Sequence, residues 1–99
     1  MGKNIKKELK ELGFRINSKG FIYWYDAIIY AKTHLGLYDV LYIYEYLAKK
    51  HKTTPVNVER TLRYSIAPAK SKIQEKYNCT EKISNRTFIN LIKLKYYGE

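Results

Sequence analysis

The chain is poor in several things, and each scarcity closes off a class of function. Its 99 residues hold one cysteine, Cys79, so no internal disulfide can form, and no partner stands at a metal-site spacing from it. The thiol is expected to be a neutral structural side chain. No apolar run is long enough to cross a bilayer, since the 21–31 stretch is interrupted by Asp26, and the opening MGKNIKKELKEL has basic residues but no signal-peptide core. The expected location is therefore the cytoplasm, in association with the nucleoid, with no membrane partner. Without a secretion signal, the glycosylation-like triplets Asn78-Cys79-Thr80 and Asn85-Arg86-Thr87 read as chance. There is no repeat, low-complexity tract or linker. Catalytic patterns are missing too. His34 and His51 stand apart, without an Asp, Ser or Cys at a recognisable spacing, and no glycine-rich phosphate loop exists. Glu8, Glu11 and Asp26 read as solvated helix residues. No enzyme activity, cofactor, metal or small-molecule substrate is expected.

Acidic residues are also scarce, nine against nineteen Lys and Arg, giving a formal charge of +10 and a pI near 9.7. Such a charge draws a chain toward polyanions, and each phosphate neutralised releases counterions, so binding should weaken steeply with salt. What the chain does have is apolar material: 45% of its residues, with eleven tyrosines, too rich for a disordered tail. Its length suits one domain over 1–99 with a single core.

Apolar spacing predicts an all-α fold, a compact bundle of about five to six helices. The first runs over about 4–12 on an Ile5, Leu9, Leu12 stripe, with Gly13 free to turn left-handed and Phe14 closing the end. A second, about 22–34, buries some of Phe21, Trp24, Tyr25, Ile28 and Ile29 and is stopped by Leu35-Gly36. The third, about 38–51, sends Leu41, Tyr44 and Leu47 inward. Of its tyrosines, Tyr38, Tyr42, Tyr44 and Tyr46, at least two should be half exposed, because each buried hydroxyl needs a partner. They read as core and rim, or as a stacking platform for single strands. A fourth helix, about 55–67, is ended or kinked by Pro68. A short helix over 71–77 follows. The last, capped by Ser84, reaches about 96 with Phe88, Leu91, Ile92 and the stem of Lys95 inward.

The stretch LAKKHKTTPVNVERTLRYSI at 47–66 is the most specific part. It reads as a helix-turn-helix. Ala48 is small enough for two helices to cross, and Val58 supplies the packing residue of the second. Thr54 can cap that helix, and Pro55 suits its first position, where a missing N–H has no partner to lose. Val58, Leu62 and Ile66 form one stripe at helical spacing, leaving Asn57, Arg60, Arg63 and Tyr64 on the other side. That face suits a major groove, where Arg bonds guanine O6 and N7 and Asn bonds adenine. A solvated polar face is the plainer alternative. The turn position usually given to glycine is Lys52, at a cost of roughly 1 kcal/mol.

This block, together with KGFIYWYDAI at 19–28 and SNRTFINLI at 84–92, is similar to the DNA-binding effector domain at the C-terminus of the sporulation response regulator of endospore-forming Firmicutes, over about 9–95. The resemblance implies an all-α fold of about six helices binding a short box of double-stranded DNA as head-to-tail pairs. It implies base contacts from the intact Val58-Glu59-Arg60 segment: Arg60 for a guanine, and Glu59 for a cytosine amine or for an i,i+4 ion pair with Arg63. Asn57 stands where the family has an arginine, so one guanine contact is expected to be lost or adenine preferred. Tyr64 replaces a histidine, and with Thr53, Thr54, Arg63 and Lys72 is expected on phosphates. Lys49, Lys50 and Lys52 border the same surface. At Pro68 the family continues as helix, and here the following connection is shorter. The family's receiver domain, whose phosphorylation relieves inhibition and promotes pairing, does not precede Met1, so that control is expected to be absent or removed by truncation. The competing function is a basic helical module that binds RNA or a related regulator protein.

Overall fold

The computed structural model describes residues 2–34 and 40–97. Along them run α1 (Gly2–Glu11), α2 (Lys19–Thr33), α3 (Val40–Lys50), α4 (Pro55–Ile66), a 3-10 turn (Ala67–Ala69), α5 (Lys70–Lys76) and α6 (Asn85–Tyr97), with no strand among the described residues. The all-α expectation holds.

Local chemistry sets the boundaries. Ser18 accepts from the Phe21 N–H at 3.1 Å, Thr54 from the Asn57 N–H at 3.1 Å, and Ser84 from the Thr87 N–H at 3.1 Å, so three helices start on a hydroxyl cap. The Ser18 cap starts α2 at Lys19, three residues before the apolar pattern suggested. Three helices end alike, on a left-handed residue that lets an amide fold back onto a carbonyl five residues earlier. Gly13 (φ 98°) brings the Phe14 N–H to the Leu9 carbonyl at 3.0 Å, Lys52 (φ 55°) brings Thr53 to Ala48 at 2.9 Å, and Asn78 (φ 53°) brings Cys79 to Gln74 at 2.9 Å. Pro68 ends α4 at Ile66 as expected, and the backbone tightens through the 3-10 turn before α5 resumes at Lys70. The expected start of α3 at 38 and the Leu35-Gly36 stop lie outside the described residues.

Trp24 is fully buried at the centre, edge-on to Phe14 and to Phe88, whose rings stack on each other 5.9 Å apart. Its indole N–H donates to the Leu62 carbonyl at 3.1 Å and to Ser65 Oγ at 2.9 Å, tying α2 to α4. The two helices touch closely where Gly20 meets Ser65, since a Cβ on Gly20 would lie 2.3 Å from the Ser65 Cβ. α3 turns Ile43, Tyr44, Leu47 and Ala48 inward. Leu41, expected in the core, is 59% exposed, because it falls on the first turn outside that stripe.

Two acidic residues also depart from expectation, while Glu11 is exposed as expected. Glu8 is buried rather than solvated, and its carboxylate accepts from Lys76 at 2.8 Å, from Lys95 at 3.1 Å and from the Tyr77 hydroxyl. Lys76 also reaches Glu11 at 3.0 Å. Burial alone would raise the Glu8 carboxyl, but the bonds from Lys76, Tyr77 and Lys95 outweigh it and hold the group below its usual value. Asp26 is likewise half-buried, set between Lys50 Nζ at 3.3 Å and His51 Nε2 at 2.8 Å.

Candidate nucleic-acid interface

The turn from α3 to α4 is fixed at several points. His51 leans on the Tyr23 ring with centroids 4.6 Å apart and bonds Asp26, so α2 steadies the end of α3. Thr53 then accepts from Asn57 Nδ2 at 3.1 Å while Thr54 caps the helix. Ala48 and Val58 are both buried where α3 and α4 pack, as the crossing requires.

Val58, Leu62 and Ile66 point into the core. That orientation leaves Asn57, Arg60, Arg63 and Tyr64 exposed together on the outer face. Arg60 lies nearly opposite the buried stripe and makes no hydrogen bond or ion pair among the described residues. Arg63 is committed. Its Nε lies 2.8 Å from Glu59 Oε2, a bond that raises the guanidinium pKa above its usual value, and its charge sits 4.9 Å from the Tyr64 ring centre. Glu59 is thus held along the helix, half exposed, in the i,i+4 pair that sequence spacing allowed. Lys72 is exposed beside Gly13 at the end of α1 rather than on α4.

Two features escaped the sequence pattern. Val56 is 62% exposed on the outer face of the first turn of α4, an apolar group presented to whatever that face meets. A cleft of about 410 Å³ lies on the Glu59 flank, lined by Lys70, Lys82 and Arg86 as well as Arg63. At its base Asn85 donates to the Tyr44 hydroxyl at 3.1 Å and to the Glu59 carbonyl at 3.4 Å. Burial pushes the Tyr44 hydroxyl above its usual pKa, so it stays neutral.

Of the tyrosines read as a possible stacking platform, Tyr44 is buried, and Tyr46 stacks on Tyr30 with centroids 4.3 Å apart. Tyr42 is 51% exposed, and Tyr38 lies outside the described residues. Among the described residues no group of His, Cys, Asp and Glu could hold a metal ion, and no helix is long and apolar enough to cross a membrane. Residues 5–96 match the family model described as sporulation initiation factor Spo0A, C terminal. No curated protein matches the chain.

Proposed function

The chain belongs to the family of Spo0A C-terminal domains, DNA-binding effector domains of a sporulation regulator, and from that premise we propose that it reads duplex DNA by laying α4 in the major groove. The observation that carries this reading is Arg60: a fully charged guanidinium at the middle of the outer face, uncommitted to any described neighbour, on a helix anchored by three buried residues. A preorganised fork of this kind suits guanine O6 and N7.

Asn57, one turn earlier, reads a second base, and its amide exchanges Thr53 for adenine as it does so. Glu59 acts chiefly by holding Arg63, since accepting from a cytosine would break a 2.8 Å charged bond. Thr53, Thr54, Arg63, Tyr64 and Lys72 meet phosphates and set the register. The whole chain acts as one DNA-binding domain, pairs head to tail on its box, and works on the nucleoid in the cytoplasm.

Selection of bound duplexes from random DNA tests the class, and two substitutions test the roles. Arg60→Ala is expected to cost about 1–3 kcal/mol on the selected site and to relax choice at one base pair, whereas Lys72→Ala weakens selected and random duplexes alike. Equal effects of both variants on both kinds of DNA would contradict the assignment.

A further inference from the structure

The cleft between α4 and the start of α6 concentrates charge from separate segments. Arg63 reaches it from α4, Lys70 from the first residue of α5, Lys82 from the loop before α6, and Arg86 from the first turn of α6. Among the described residues one carboxylate, Glu59, lines the cleft against these four cations, and Arg63 already holds it. Lys70, Lys82 and Arg86 make no ion pair among the described residues. Like charges gathered in one notch repel each other, and an anion relieves that repulsion.

The backbone contributes to the same field. Asn85 and Arg86 open a 13-residue helix, and their N–H groups, ahead of the Ser84 cap bond to Thr87, form no backbone bond among the described residues. A helix start of this kind carries partial positive charge and free donors. Asn85 adds a polar side chain to the base of the cleft, its Nδ2 bonded to the Tyr44 hydroxyl and the Glu59 carbonyl. The residue is only 7% exposed, and Oδ1 is a buried acceptor with no hydrogen bond among the described residues. Buried acceptors are rarely left so.

We infer that this cleft is a phosphate seat that grips the DNA backbone on the Glu59 side of α4, with Lys82, Arg86 and Lys70 as its cationic walls and the start of α6 as its floor. The inference rests on the groove reading of α4. The cleft opens beside Glu59 and Arg63, on the flank of the face that carries Arg60, where a strand bordering the groove would run. Lys82 and Arg86 are exposed and make no hydrogen bond or ion pair among the described residues, so the variant is expected to fold, which its thermal unfolding checks.

The test pairs the double variant Lys82→Ala/Arg86→Ala with a scan of single neutral methylphosphonates along the selected duplex. The variant should weaken selected and random duplexes by the same factor and lower the log–log salt slope by about one unit, as expected for one phosphate no longer neutralised. One methylphosphonate position should weaken the parent chain and leave the variant unaffected. If the parent selects a sequence and responds to Arg60→Ala, but the variant keeps the full slope and no such position exists, the seat is refuted while the groove reading stands. A parent that selects no duplex refutes both. Loss of inorganic phosphate binding with an unchanged duplex scan also overturns the proposal, because the site would then serve a free anion.

Discussion

Lys52 holds a left-handed backbone with φ at 55°, where its Cβ crowds the following carbonyl, and it does so because the fold-back of Thr53 onto Ala48 needs that geometry. Lys52→Gly is therefore expected to raise stability by about 0.5–1 kcal/mol, the relieved strain less the extra chain entropy of glycine, read from urea midpoints. Asn57 is the other residue whose own chemistry makes a sharp test. Its amide now bonds Thr53, and Asn57→Arg replaces a group matched to adenine with a fork matched to guanine. Site selection with both proteins should show the preference change at one base pair. Identical selected sequences would leave Asn57 as a brace for the turn.

At the level of elements, the position of α4 depends on how closely α2 approaches it. Gly20 leaves no space for a methyl group against Ser65, and the neighbouring Trp24 indole bonds the α4 backbone at Leu62. Gly20→Ala should push the helices apart and cost about 1–3 kcal/mol, with weaker duplex binding because the outer face moves with α4. Thermal unfolding and DNA titration of the same sample check both halves. Most helices were legible because their determinants are local: an apolar stripe, a hydroxyl cap, a left-handed stop. The Ser18 cap is equally local, but apolar spacing alone places the start of α2 three residues late. Leu41 faces solvent, and spacing alone does not fix which way a stripe of mixed leucine and tyrosine turns. Glu8 was not legible at all. Its partners Lys76, Tyr77 and Lys95 lie 68, 69 and 87 positions away. The outer face of α4 could be read from one continuous segment, whereas the basic cleft draws Lys70, Lys82 and Arg86 from the start of α5, a loop and α6.

For the whole molecule, the Glu8 cluster joins α1, the end of α5 and α6, so its charge state bears on global stability. The carboxyl is held below its ordinary value of 4.5 in the folded chain. The unfolded chain therefore takes up its proton first as pH falls, and the stabilisation, complete above about pH 4.5, is lost as pH falls through the lower folded value. Glu8→Gln should cost about 1–3 kcal/mol at neutral pH, a modest figure because Lys76 and Lys95 still reach water, and should flatten this acid-side decline in a pH series of urea midpoints. The same contacts that hold the molecule together also make it self-reporting. Trp24 is its sole indole, dry and hydrogen-bonded to the helix proposed to enter the groove. Light absorbed selectively by that ring thus interrogates one seam, α2 against α4. Its emission colour and decay will register any loosening of α4, whether from acid, from a mutation or from the grip of DNA, without an added label.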